Sequence, residues 1–366
     1  MKIIQLTEKN HSLWNKFCIS SNDAWFWHTT QWMEYTIKHT PQLEGRNVSF
    51  LISDGNRVLG IFPLIVETNG MGQDKAHEFS FGGSFGVSPA LSNELSHTKR
   101  NKIMRMMFDH ADDIASEYNI QRMSIKSSVL SPNFCGSKFA NSNWLLRYGF
   151  IDTSLSTQLL DLSNNVDILW KGMRRDLRKN IEREKQQLTL EIMDRNNADF
   201  GVFDIYREMH ALAAGRVTRP LETFDVMFEW IQTGQAILFG AKYEGQFVGF
   251  FFVTVYKNGA YNGSSCRHPE FPEMSIGHYL RWEIVKWLKN YNIIYNEIGV
   301  QKYSALPYDL PSAKEINISK AKSGLGGFIV PLFRGERYYS TEYFVKVHTQ
   351  RMEDYAAKLS DMDVKK

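Results

Sequence analysis

The sequence predicts an α/β protein with mixed sheets, built by tandem duplication of one unit. Two observations carry this. Each half of the chain holds a tight hairpin of the same design, and each half then runs through a helical stretch into the word Tyr-Asn-Ile and a strand. The same features in the same order, roughly half a chain apart, are the mark of an internal repeat.

The first hairpin is "SFLISDGNRVLGIFPLIVE", with Asp54-Gly55 between two apolar runs. The second is "ILFGAKYEGQFVGFFFVTVY", with Glu244-Gly245 in that place. An acidic residue followed by glycine suits the left-handed backbone of a short hairpin turn. Downstream, a helix around Lys102 to Tyr118 leads into "YNIQRMSIK", and a helix over Tyr279 to Asn290 leads into "YNIIYNEIG". The hinge falls in "LLDLSNNVDILW". There Leu159 to Leu162 closes a sheet, and Ser163 caps a helix with Asp167 in its early turns. The expected domains are residues 1–163 and 164–350, followed by a polar, frayed tail at 351–366.

Length and composition agree with two globular domains. The chain has 366 residues, 43% of them hydrophobic and 23% charged. A net charge of only +3 excludes a nucleic-acid coat protein and makes any basic site local. Cys18, Cys135 and Cys266 lie far apart with no CxxC, so neither a disulfide scaffold nor a metal site is expected. The N-terminus has no signal-like apolar run, and the apolar stretch from Val248 to Val255 is too short to span a bilayer. A soluble, cytoplasmic protein without a transmembrane segment is expected.

Three segments are candidates for chemistry. In "WKGMRRDLRKNIEREKQQ", Trp170, Met173, Leu177 and Ile181 give one apolar helical face. The remaining surface of helix 171–185 has four more positive than negative charges, so it seeks anions such as phosphates, tRNA included, or is simply a solvated face laced with ion pairs. In "HALAAGRVTRPLETF", Arg216 and Arg219 sit in a Gly/Pro-bounded loop between helices, placed to contact a carboxylate or phosphate. In the block from Ala260 to Gln301, Ser275, Ile276, Gly277 and His278 open a helix whose N-terminal amides suit a pyrophosphate or a carboxylate. The histidines show no metal-binding spacing, and no hydrolase motif can be read.

The block "AYNGSSCRHPE…GHYLRWEIVKWLKNYNIIYNEIGVQ", followed by "ISKAKSGLGG", resembles the second domain of the FemABX family. These are peptidoglycan-bridge aminoacyltransferases within the GNAT-like N-acyltransferases. The resemblance rests on Tyr261 with Gly263 and Ser264, the helix from Leu280 to Trp287, Tyr295-Asn296-Glu297, and the segment Ala321 to Gly327. In the first half, "WFWHTTQWMEY" and "EFSFGGSF" are similar to that family's early stretches. Ala321 and Leu325 stand where the family has aromatics, and Asn296-Glu297 where it has a Tyr-Asp pair.

The resemblance implies two tandem GNAT-like domains with the active channel on the second. It implies transfer of an acyl or aminoacyl group to a primary amine. The donor would be acyl-CoA or aminoacyl-tRNA, with no metal. The acceptor would be a nucleotide- or lipid-linked envelope precursor, an amino sugar or a muropeptide; no DNA partner is expected. Lys322 is the expected catalytic residue, placing its ammonium against the oxyanion or against an acceptor phosphate. Arg216, Arg219, Tyr261, Ser264, Gly324 and Gly326 are expected to bind the acceptor, and Ser275 to His278 the CoA pyrophosphate. Among donors the basic helix favours tRNA and the Gly277 helix start favours CoA. No side-chain base is clear: Glu297, His278 and substrate-assisted proton transfer are all open. The alternative is a non-catalytic binding protein on a degenerate GNAT scaffold.

The glycine stretch itself, "ISKAKSGLGGF", is not a nucleotide cradle. A P-loop has its lysine after the glycines, and here Lys322-Ser323 precedes them. A dinucleotide fingerprint opens a helix, whereas Phe328, Ile329 and Val330 read as a strand. Two expectations stand: an ordinary loop into the last strand, or a loop that comes close to the substrate and holds one lysine at an acyl-transfer site.

Overall fold

The computed structural model describes residues 1–70, 75–136, 142–302 and 310–363. In chain order the first elements are β1 (Lys2–Gln5), α1 (His11–Ser20), α2 (Thr30–His39), β2 (Arg46–Asn47), β3 (Phe50–Asp54), β4 (Arg57–Phe62), β5 (Ile65–Asn69), β6 (Ala76–Phe79), β7 (Gly86–Val87), β8 (Ala90–Leu91), α3 (His97–Glu117), β9 (Ile120–Lys126), α4 (Pro132–Gly136) and β10 (Ile151–Asp152). Then come β11 (Leu155–Asp161), α5 (Val166–Gly172), α6 (Arg175–Glu184), β12 (Leu188–Met193), α7 (Phe200–Ala214), α8 (Leu221–Gln232), β13 (Ala236–Tyr243), β14 (Gln246–Tyr256), β15 (Gly259–Arg267), α9 (Ile276–Asn290) and β16 (Tyr295–Gln301). The chain closes with α10 (Ala313–Ser323), β17 (Phe328–Leu332), β18 (Arg334–Tyr338) and α11 (Thr341–Asp363).

These elements form two units. Unit 1 comprises 1–156, 300–320 and 331–366, and unit 2 comprises 157–299 and 321–330. Unit 1 holds a sheet in the order β1-β3-β4-β8 and a mixed sheet β10-β18-β9-β6-β5-β2, with β7 also on β9. Unit 2 is organised on one mixed sheet, β12-β13-β14-β15-β16-β11-β17.

The duplicated design is visible in each unit. Both acidic-Gly pairs make hairpin turns, β3–β4 with Gly55 at φ 58° and β13–β14 with Glu244 and Gly245 at φ 48° and 83°. Each unit also contains a β-α-β crossover, β9 lying parallel to β6 behind α3 and β16 parallel to β15 behind α9. The repeated word Tyr-Asn-Ile has a physical reason. Its asparagine is left-handed both times, Asn119 at φ 50° and Asn292 at φ 58°, a conformation Asn tolerates better than most side chains. The chain thus stops the helix and drops the isoleucine, Ile120 or Ile293, into the core.

In unit 1, Glu67 accepts the backbone N–H groups of Gly82 and Gly83 at 2.6 and 2.8 Å, so the "EFSFGGSF" glycines hold a buried carboxylate. Trp25, Phe26, Trp27 and Trp32 of "WFWHTTQWMEY" form a nest of edge-to-face and tilted rings. Arg122 bridges the buried Glu78 and Glu336 at 3.0 and 3.1 Å, and Arg351 of α11 forks onto Glu336 with two bonds of 2.7 Å.

In unit 2, α9 lays Ile276, Leu280, Ile284 and Leu288 against Phe251, Val253, Ala260 and Ile298. Each such fully buried side chain contributes about 1.5–3 kcal/mol. The opposite face of β14 and β15 meets α7 and α8 through Phe203, Tyr206, Phe224 and Trp230.

Four local expectations are corrected. The single helix over 170–187 is two helices, broken where Met173 and Arg174 are extended; Met173, Leu177 and Ile181 still all point inward. The helix cap after the hinge is Asn165 rather than Ser163, because the Asn165 side chain accepts the Asp167 N–H. The stretch read as a loop from Ile318 is the second half of α10, which ends only at Ser323. The tail read as frayed is helical as far as Asp363.

Candidate active site

The site is built where two strands separate. β14 and β15 run antiparallel with a bulge: Phe252 pairs with Ser264 and Val253 with Asn262, leaving Gly263 as the extra residue. β15 and β16 pair in parallel only from Gly259–Tyr295 to Tyr261–Glu297. Beyond that pair the sheet opens. Tyr261 and Glu297, being register partners, share one face, while Ala260, Asn262 and Ile298 share the face covered by α9.

Glu297 is buried and accepts the Thr157 hydroxyl at 2.8 Å. Tyr261 stands beside it; burial, and then the Glu297 charge, raise the phenol so that it stays protonated. Lys322 reaches the same place from the last turn of α10. Its Nζ lies 3.1 Å from where a Cβ on Gly299 would stand, two residues beyond Glu297 on the same strand. Burial and the Arg281 charge lower the Lys322 ammonium from 10.5, and Glu297 opposes them. A hydroxyl, a carboxylate and a partly desolvated ammonium therefore converge at the opening.

Small-ligand sites are commonly clefts of about 300–1,000 Å³; a cavity at the start of α9, not lined by Tyr261, Glu297 or Lys322 themselves, has a volume of about 510 Å³. It is bordered by Phe251 of β14, Ser265 and Arg267 of β15, and Gly277, His278 and Arg281 of α9. Gly277 is open to it, with no atom within 4 Å of where its Cβ would stand. Glu184 already accepts the Ser275 N–H at 3.0 Å, which leaves the Ile276 and Gly277 amides ahead of the first helical bonds at His278 and Tyr279. Burial works against the Glu184 anion, but the Ser275 amide, Arg183 and Gln187 outweigh it and hold the carboxyl below its usual range. Burial, followed by the Arg281 charge, lowers His278, so its imidazole is neutral at pH 7.

The structure thus brings Tyr261, Glu297 and Lys322 together, with Ser275, Gly277 and His278 along the cavity. Ile276 contributes backbone only, since its side chain is in the core. Ser264 accepts the Tyr206 hydroxyl at 3.0 Å on the α7 side. Arg216 is exposed in the loop between α7 and α8. Arg219 turns back into that loop, with a guanidinium nitrogen 3.1 Å from Met227 Sδ and its guanidinium carbon 5.3 Å from the centroid of the Phe224 ring. Neither arginine lines the cavity. Gly324 packs on Leu177, and Gly326 lies over the Gly172 carbonyl, so these glycines meet the chain's own α5 and α6. On the basic helix, Arg174, Arg183 and Lys185 pair locally with Asp176, Glu184 and Glu182.

Sequence reasoning passed over Arg281, Thr157 and Glu184. Arg281 carried a signal, a charge set between the apolar Leu280 and Trp282 on a helix that buries most of its circumference. Thr157 and Glu184 carried none, because their partners are distant in sequence or become close only after folding.

Among the described residues no helix is long and apolar enough to cross a membrane, and no cluster of His, Cys, Asp or Glu could hold a metal ion. Residues 171–303 match the acetyltransferase (GNAT) domain model. No curated protein matches the chain in sequence. The fold is similar to that of the crystal structure of FemX, at 12% identity and a TM-score of 0.68, covering 95% of this chain and 100% of that one. It is also similar to L-PGS from Bacillus licheniformis, at 14% identity and a TM-score of 0.53, covering 88% of this chain and 96% of that one. The C-terminal domain of a putative lysylphosphatidylglycerol synthetase from Agrobacterium fabrum is alike at 10% identity and a TM-score of 0.53, covering 90% and 92%. Residues 171–303 therefore carry a GNAT acetyltransferase domain, which makes the protein an acyltransferase, and the chain as a whole shares the fold of FemX.

Proposed function

We propose that the protein moves an acyl or aminoacyl group from a CoA thioester or an aminoacyl-tRNA to a primary amine on a cell-envelope precursor, an amino sugar or a muropeptide. The observation that carries this reading is the convergence of Tyr261, Glu297 and Lys322 where β15 and β16 part. The likeness in fold to the C-terminal domain of a putative lysylphosphatidylglycerol synthetase supports a lipid-linked acceptor.

The chemistry follows from what the reaction needs. The amine nitrogen attacks the acyl carbon, an N–C bond forms, and the C–S or C–O bond to the carrier breaks. Negative charge grows on the carbonyl oxygen, where the Lys322 ammonium meets it. The attacking nitrogen must lose a proton. Glu297 takes that role rather than His278, because its charge acts on both Lys322 and Tyr261. The protonated Tyr261 hydroxyl orients the amine, and the departing thiolate or alkoxide leaves with a proton. The Ile276 and Gly277 amides would hold a CoA pyrophosphate. Arg216 has the exposure to reach a large acceptor.

A thermal-shift and turnover screen of acetyl-CoA against aminoacyl-tRNA tests the reading. Stabilisation and turnover with one donor, both reduced in Glu297→Gln and Lys322→Ala, support it and select the donor. Binding without turnover across a panel of amines favours the binding-protein alternative.

A further inference from the structure

Arg281 is a half-buried cation that pairs with no acid among the described residues. It projects from α9 one turn after Gly277, with its guanidinium carbon 5.4 Å from the centroid of the Phe251 ring. Its Nε is buried without a hydrogen-bond acceptor. Burial alone lowers its pKa, with no carboxylate pulling the other way. Among the described residues none of the ion pairs involves it; the nearest acidic neighbour along its helix, Glu283, pairs with Lys286 at 2.6 Å. Lys322 differs, because Glu297 compensates it.

Further polar groups go unanswered on the same face of the sheet. Both amide atoms of Asn262 are buried and unpartnered, and so is His278 Nδ1. Asn262 stands opposite Val253, on the sheet face that Arg281 covers. His278 and Arg281 line the cavity of about 510 Å³. Burying an unpaired charge or amide is costly, and a protein that does so beside an open cavity gains when a ligand supplies the missing partner.

We propose that Arg281 anchors a substrate carboxylate in the cavity at the start of α9, with the Asn262 amide, on the same sheet face, as a second donor. The guanidinium fork matches a carboxylate's two oxygens. Its position, a turn deeper than the amides of the helix start and close enough for its charge to act on Lys322, puts that carboxylate next to the reacting carbonyl. The substrate pair therefore includes either an acyl group with a free carboxylate or an amine of the amino-acid type. An α-ammonium on the acyl group would face two cations, so an aminoacyl donor is disfavoured. The origin of the carboxylate rests on the acyl-transfer reading; its binding does not.

Isothermal titration with succinate, its diamide and inorganic phosphate tests the anchor without turnover. The wild-type protein should bind succinate and not the diamide. Arg281→Met should bind succinate about ten- to hundredfold more weakly. Arg281→Lys, which keeps the charge but loses the fork, should fall between them, with circular dichroism unchanged in both. Two turnover arms then locate the source: succinyl-CoA against acetyl-CoA with one neutral amine, and an amino acid against its amide with acetyl-CoA. The arm in which Arg281→Lys loses its discrimination identifies the carboxylate-bearing partner. Equal succinate binding by wild type and Arg281→Met, no succinate binding at all, or binding of phosphate in its place overturns the proposal. Arginine-dependent succinate binding with no turnover on any substrate pair upholds the anchor and refutes the acyl-transfer reading instead.

Discussion

Lys322 Nζ occupies the space that a side chain on Gly299 would need, 3.1 Å from the position of its Cβ. Gly299 also has φ 110°, which side chains rarely adopt. The glycine in strand β16 is thus the seat of the lysine. Gly299→Ala should cost about 1–3 kcal/mol through backbone strain. It should also lower turnover well beyond what that loss of stability explains. Urea unfolding and kcat measured on the same sample separate the two effects; a fully active, merely less stable variant would remove Gly299 from the site.

Lys322→Ala should reduce kcat about a hundredfold or more, the usual result of losing one oxyanion donor. Lys320→Ala, two residues earlier and exposed, should change it by a small factor. Burial and Arg281 lower the Lys322 pKa from 10.5, so the ammonium is lost before that value is reached. Activity should accordingly fall as pH rises through a limb below pH 10.5, and Lys322→Arg should move this limb upward. Equal rates in the two alanine variants would end the role given to Lys322.

Two glycines of one segment should respond differently. Gly327 has φ 79°, and a Cβ there would run into the Leu159 carbonyl oxygen, which is backbone and cannot step aside. Gly324 lacks the positive φ, and its Cβ would meet Leu177 Cδ1 at 3.1 Å, a flexible side-chain end. Gly327→Ala should therefore destabilise by more than about 4 kcal/mol or prevent folding. Gly324→Ala should cost about 1–2 kcal/mol. Soluble yield and thermal unfolding give the comparison.

In unit 1, Arg122→Met should cost about 3–5 kcal/mol, because Glu78 and Glu336 are then buried without their shared cation. Adding Glu78→Gln and Glu336→Gln should recover much of the loss. Glu336 also predicts an acid limb. Burial opposes its ionisation, yet Arg351 and Arg122 prevail and hold it below 4.5. A carboxyl with a depressed folded-state pKa stabilises at pH above its unfolded value and loses that contribution as pH falls through the folded one. The melting temperature should be level above about pH 5 and drop below the usual carboxylate range. Glu336→Gln should make that drop shallower.

Local chemistry made much of this molecule legible. Acidic-Gly pairs need a left-handed turn, so both hairpins stood in the sequence at Asp54-Gly55 and Glu244-Gly245. The left-handed asparagine of Tyr-Asn-Ile ends a helix and starts a strand wherever it occurs, and that gave away the repeated unit. The apolar spacing of Met173, Leu177 and Ile181 named the buried face of α6, although not the break before it, because a break of two extended residues hardly disturbs the spacing. The segment at α10 misled for a related reason. "AKEINISKAKS" has no apolar stripe, so nothing but its packing shows that it is a helix.

The sequence by itself determined the mixed α/β class, the duplication and Lys322 as a residue to watch, since each depends on residues adjacent in the chain. Tertiary structure alone decided which groups share the site. Tyr261, Glu297 and Lys322 meet only after β15 and β16 pair for three residues and then part. Arg281 becomes an unpaired charge only when folding half-buries it over Phe251, where no described residue forms an ion pair with it. A pattern of side chains records which face of a helix or strand is buried, but the field acting on a charge comes from neighbours that lie far off in sequence.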